Sequence, residues 1–263
     1  MSVRTAVAGI PRLGAAAAAA LGLAFALVFF YAPLEADQGF VQKIFYLHVP
    51  LGIVSLGGFV AGGILGLRFL RTGDRVWDLR AYVAIHLSLI LSVAVLATGS
   101  IWARASWGHW WLWNEPMLVS FLIVFLLYCC YQPLRFAVED PDRQARAASV
   151  FAVMAGGFVP VNFVAVRMAD AVTHPRVLGA TGGSMPGSMR LTLIVSLAAI
   201  AMVYVSMYRL EVARKTAAIE VKRLRRRLEA SRRADALPIP APVVESRVVA
   251  RRLPAADPRT EGA

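Results

Sequence analysis

The residues best able to do chemistry in this sequence are a cluster of indoles and a few imidazoles. The stretch Trp107-Gly108-His109-Trp110-Trp111-Leu112-Trp113-Asn114-Glu115 holds four of the six tryptophans in the chain. Two or three tryptophans beside an apolar run are ordinary anchors at a membrane surface, but four within seven residues go beyond anchoring. Trp107, Trp110, Trp111 and Trp113 together offer a broad aromatic shelf for the flat face of a large conjugated ligand. His48 and His174 each carry a nitrogen that, when neutral, is a common metal ligand. Two such groups could approach a metal macrocycle from opposite faces.

The elements that must position these side chains follow from composition. With 263 residues, 58% of them hydrophobic, and a mean hydropathy of +0.61, the chain reads as a membrane protein. Its net charge of +12 is carried by a small charged fraction. Nucleic-acid binding is a poor explanation of that charge in so lipid-soluble a sequence. Apolar runs of spanning length occur at Leu13 to Pro33, Ile44 to Leu67, Ala81 to Ala103, Met117 to Leu134, Ala147 to Val166 and Leu191 to Tyr208. The first is longer than the ~7 to 15 apolar residues of a secretory signal, so it is expected to be a retained span. Unbroken apolar runs of this kind predict helices rather than a barrel, because lipid offers no partner for free backbone groups. The fold class is therefore all-α, a polytopic membrane protein with six transmembrane helices.

Topology follows from the basic residues. Twenty-three of the 28 Lys and Arg residues fall on the side of the N-terminus, the second and fourth loops and the tail; Lys43, Arg104, Arg167, Arg176 and Arg190 fall on the other. The positive-inside rule then places both termini in the cytoplasm. The tryptophan-rich loop, residues 104–116, faces outward, with His48 about one turn inside the outer end of span two and His174 in the outer loop before span six. His86 sits near the inner end of span three and reads as a packed or hydrogen-bonded core residue. Beyond the membrane domain, residues 1–209, a basic amphipathic helix is expected over residues 210–235, from the spacing of Ile219, Leu224 and Leu228 among Arg and Lys. Anionic lipid is its first expected partner. Residues 236–263, rich in Pro, Ala and Arg, read as unstructured. Adjacent Cys129 and Cys130 fit no redox, zinc or haem-attachment spacing and read as buried small residues.

Haem is the macrocycle that best matches a shelf flanked by two outer histidines. Its iron would take His48 and His174. Its propionates would need cations, and Arg104, Arg167, Arg176 and Arg190 are the basic residues nearest. A b-type electron-transfer subunit is the alternative, but it would place histidine pairs within spans at matching depth, and His86 has no mate at its level. A haem-free permease, using Gly179 to Ser184 as a gate, is a third reading.

The segment Trp107-Gly108-x-x-Trp111-x-Trp113-Asn114 resembles the tryptophan-rich signature W-G-x-x-W-x-W-D of the CcmC/CcsA cytochrome c assembly family. His48 in a His-Val-Pro context and His174 in a His-Pro context stand two spans before and one span after it. Six spans resemble CcmC more than CcsA. The resemblance implies a non-enzymatic protein that holds transiently bound b-type haem on the outer face of the cytoplasmic membrane and presents it to a membrane-anchored haem chaperone, CcmE-like, for cytochrome c maturation. It also implies an ABC-type export complex, with an ATPase and a second membrane subunit. No GxxxxGK[ST] loop is present here, so ATP hydrolysis falls to another chain. The family aspartate is Asn114 in this chain; Glu115 offers a carboxylate one place along, with Pro116 after it.

Overall fold

The computed structural model describes residues 9–169, 172–174 and 185–235. The first helix, α1, Ile10–Ala26, is an Ala- and Leu-rich run with Pro11 in its first turn, where a missing N–H goes unnoticed. Its end widens into a π-helical turn, Leu27–Tyr31, closed by the Ala32 N–H donating to the Leu27 carbonyl at 2.8 Å. Glu35 then turns the chain, its carboxylate accepting the N–H groups of Asp37 and Gln38. A 3-10 turn, Phe40–Ile44, leads directly into α2, Phe45–Thr72.

Short connections keep the following helices antiparallel neighbours. Gly73, at φ +69°, closes α2. Asp74 then caps α3, Arg75–Trp107, its carboxylate accepting the Val76 N–H at 2.9 Å. α3 ends at Gly108, whose φ of +77° lets the chain leave into the tryptophan loop. The fourth span is built from α4, Pro116–Cys129, and α5, Tyr131–Ala137. α6, Pro141–Met168, starts from an Asp140 cap that accepts the Arg143 N–H at 2.7 Å. α7 covers Gly187–Asp235.

Six helical segments are long and apolar enough to cross a membrane, which bears out the all-α, six-span reading. Their bounds exceed the apolar runs, except that the first span ends at Tyr31, short of Pro33. α3 alone has 33 residues, about 50 Å of helix against a hydrocarbon core of about 30 Å, so its ends reach beyond the lipid tails. Among the described residues the only extended pairing is a single bridge between Glu35 and Gly39.

Packing inside the bundle relies on small residues, as expected where lipid removes the hydrophobic drive between helices. α2 lies between α3 and α6. A Cβ added at Gly63 would come within 2.9 Å of the Ala152 carbonyl and 3.1 Å of the Gly156 Cα, and one at Gly62 would meet Ile85 at 2.6 Å. Around this seam Phe59, Ile85, Val124, Tyr128, Tyr131, Ala148 and Ala152 form the largest buried cluster. Phe59 and Tyr128 stack at 3.7 Å between centroids, and the Tyr128 hydroxyl donates to the Phe59 carbonyl. α7 is tied to α3 by Tyr204, whose hydroxyl donates to the Ala84 carbonyl at 3.0 Å. Arg135 grips Asp78 with both guanidinium nitrogens, at 2.7 and 2.8 Å, so two nearly buried charges satisfy each other. His86 meets the side-chain amide of Gln132 and stacks on Tyr82.

The chain divides into two units, Met1–Ile219 and Glu220–Ala263. The second, over its described residues, is the end of helix α7. Its side chains through Arg233 are exposed, Leu224 and Leu228 among them. The proline-rich segment expected to be unstructured lies outside the described residues.

The glycine seam sets a measurable expectation. Gly63→Ala should cost about 1–3 kcal/mol, because the new methyl group meets backbone that cannot move aside. Gly57→Ala, with nothing within 4 Å of the added carbon, should leave the protein unchanged or slightly more stable. Thermal unfolding of the two purified variants against the parent checks both.

Candidate functional site

The first turn of α2 and a stripe on α3 build one wall of the site. His48 is the fourth residue of α2, and its Nδ1 lies 3.0 Å from the Thr98 hydroxyl oxygen. Thr98 has a single hydroxyl proton, which it donates back to the Ala94 carbonyl at 2.7 Å. Its oxygen is therefore left to accept, so Nδ1 carries the proton and Nε2 keeps the lone pair. Gly99, on the next position, makes room for the ring: a Cβ there would sit 2.8 Å from the His48 Cε1. Val95, Gly99 and Trp102 recur at helical spacing on α3 and all face the same space.

That space is a cavity of about 490 Å³, within the ~300–1,000 Å³ usual for a small-molecule site. His48 and His174 both line it, together with Trp102, Trp107, Trp111 and Arg167. The indoles are arranged edge to face. Trp102 and Trp107 meet at 4.8 Å and 76°, and each stands 6.2 Å from the His174 ring. The Trp102 N–H donates to the Gln38 side-chain oxygen at 3.2 Å, which ties the turn before α2 to the indole cage.

The four tryptophans of the loop separate into two pairs. Trp107 and Trp111 line the cavity, whereas Trp110 and Trp113 are 61% and 74% exposed and stand outside it. His109 and Asn114 are exposed as well. The basic residues separate in the same way. Arg167 lines the cavity, with its guanidinium 4.4 Å from the Phe163 ring centroid. Arg104 donates to the Gly108 carbonyl at the end of its own helix, Arg190 is exposed, and Arg176 and the glycine-rich Gly179 to Ser184 segment lie outside the described residues.

Glu115 has a different place from the one its type suggests. It is buried, 1% exposed, yet does not line the cavity. One carboxylate oxygen accepts the N–H groups of Val172, Thr173 and His174 at 3.1, 2.8 and 3.1 Å. Burial alone would push this carboxyl up; the backbone N–H groups of Thr173, His174, Met117 and Val172 outweigh it and hold the group below the usual carboxylate range. The contribution of the ionised form to stability is therefore complete above the ordinary carboxylate range and fades only as pH falls through the lowered value.

Sequence reasoning did not single out Trp102, Thr98, Gly99 or Gln38, nor Gln42, which also lines the cavity. The α3 stripe was the available signal: Thr98 and Trp102 are four apart, and a glycine stands between them. Gln38 and Gln42 gave none, because their approach depends on the turn before α2.

Fold and site together define a polytopic helical membrane protein whose two imidazoles share an indole-lined cavity. The chain belongs to the CcmC family: the family model described as "Heme exporter protein C" matches residues 1–229. Similar proteins include "Heme exporter protein C" of Paracoccus denitrificans, 33% identical over 174 residues, which are 66% of this chain and 69% of the relative. The same-named protein of Escherichia coli strain K12 is 28% identical over 158 residues, 60% of this chain and 64% of the relative. A "Putative cytochrome c biosynthesis ccmC-like mitochondrial protein" of Marchantia polymorpha is 28% identical over 173 residues, 66% and 73% of the two chains. The chain thus spans roughly two-thirds of the length of these relatives. The resemblance carried by the tryptophan signature holds, and with it the class: a multi-pass membrane protein of haem export and cytochrome c biogenesis, not an enzyme.

The Gly99 contact gives a test of the His48 wall. Gly99→Ala should force the ring off its rotamer at a cost of about 1 kcal/mol, roughly a fivefold loss of affinity for a ligand taken by Nε2. Haem titration of the detergent-solubilised variant against Gly57→Ala measures the difference.

Proposed function

We propose that this protein holds haem as transient cargo at the outer face of the cytoplasmic membrane and passes it to a membrane-anchored haem chaperone. His48 and His174 are the iron ligands. The observation that carries the reading is that these two imidazoles, from distant parts of the sequence, line one cavity with Trp102, Trp107 and Trp111. The chemistry of the lining fits the cargo. Indoles and aliphatic side chains suit a flat apolar macrocycle, Nε2 of His48 carries a lone pair, and Arg167 supplies a cation for a propionate. Trp110, Trp113 and Asn114, exposed beside the cavity, form the face that meets the chaperone, with Gly108 as the turn that presents them.

Both termini lie in the cytoplasm in this reading, from the excess of Arg on the loops between spans two and three and between spans four and five. The basic residues of 210–235 engage anionic lipid, and the ATP-driven step belongs to the partner subunits of an export complex. The b-type cytochrome alternative loses its support, because His86 is matched by Gln132 rather than by a second imidazole.

Protein purified from haem-replete cells should carry a haem absorption band, weakened or shifted in both His48→Ala and His174→Ala. A haem content and spectrum unchanged in both variants would remove the ligand assignment.

A further inference from the structure

Glu115 is the one fully buried carboxylate among the largest buried side chains, and it stands outside the cavity. A carboxylate taken out of water must be satisfied, and this one is satisfied in an unusual way. Three consecutive backbone N–H groups, those of Val172, Thr173 and His174, converge on its Oε2, and the Thr173 hydroxyl donates to the same oxygen at 3.3 Å. Such a run of amides closing on one anion fixes the backbone that provides them. The segment 172–174 belongs to no helix or strand, so no ladder of its own sets the direction in which His174 points.

The carboxylate is itself well held. Glu115 precedes α4, its N–H donates to the Leu112 carbonyl at 3.4 Å, and its carbonyl accepts the Val119 N–H at 3.2 Å. The start of α4 also presents the positive end of a helix to the anion. One end of the tryptophan loop is thus pinned to the helix and, through a single oxygen, to the backbone of His174. Trp107, at the other end of the loop, packs against the His174 ring.

We propose that Glu115 is the positioning residue for His174: its carboxylate fixes the backbone from which that imidazole enters the cavity, and it makes no contact with the cargo. The proposal rests on the reading of His174 as an iron ligand. It assigns the acidic residue of the loop to the partner segment rather than to the haem edge. A neutral amide is a weaker acceptor for four donors at one oxygen, and an aspartate keeps the charge but falls one methylene short.

The test uses the full-length protein and the variants Glu115→Gln, Glu115→Asp and His174→Ala. Hydrogen exchange of the 172–174 amides is read first, without haem, and the haem spectrum per bound haem second. Glu115→Gln should speed exchange at 172–174 at least about tenfold while the helices keep their protection. Its spectrum should move toward that of His174→Ala, with Glu115→Asp in between. A merely structural staple would lower the unfolding midpoint and leave the spectrum per bound haem alone. Unchanged exchange in Glu115→Gln overturns the proposal, as does a parent-like spectrum in a variant whose exchange has risen while His174→Ala alters it. Should Glu115→Gln fail to fold, Glu115→Asp is read against the same two outcomes. If His174→Ala itself leaves the spectrum unchanged, the ligand reading fails, and exchange at 172–174 alone decides whether the carboxylate fixes that backbone.

Discussion

The end of the bundle that holds the cavity depends on how closely α2 can lie against its neighbours. Gly58 faces the Ser88 and Tyr204 hydroxyls, Gly62 faces Ile85, and Gly63 touches the backbone of α6. Further out on the same α2–α3 seam the relation is reversed: α3 supplies the glycine, Gly99, and α2 supplies the bulky group, His48. One run of small-to-large contacts therefore holds the helices together and seats an imidazole. A looser seam would leave His48 without the Thr98 hydroxyl that fixes its tautomer.

Much of this was legible in the sequence, for reasons that can be named. Spans are readable because lipid forces long apolar runs into helices, and six of them emerged with ends that differ mainly where caps such as Asp74 and Gly108 lie beyond the apolar stretch. His48 and His174 could be placed at one end of the bundle because an even number of span crossings separates them. Their sharing of a cavity could not, since that depends on packing. The tryptophan loop was readable as a cluster but not as two pairs: Trp107 and Trp111 turn inward while Trp110 and Trp113 turn out, a division set by an irregular backbone after Gly108. Trp102 was hidden because it looks like one more apolar residue of α3.

Charge was the least legible part. Four arginines were candidates for an anionic ligand, and among the described residues only Arg167 lines the cavity, because Arg104 bends back to cap its helix. Asn114, where the family signature has an acid, is exposed, and its neighbour Glu115 is the one that is buried. A shift of one place along an irregular loop exchanges inside for outside, and periodicity gives no guide where there is no regular element.

The Thr98 hydrogen bond makes the two imidazoles of the cavity unlike in how each is held. With its tautomer fixed by a hydroxyl whose own proton is committed to Ala94, His48 presents Nε2 as an acceptor without first moving a proton. His174 is held instead through its backbone, whose N–H is one of the three that close on the Glu115 carboxylate. The helical side of the cavity is thus set by a tautomer, and the opposite side by where a carboxylate holds a backbone.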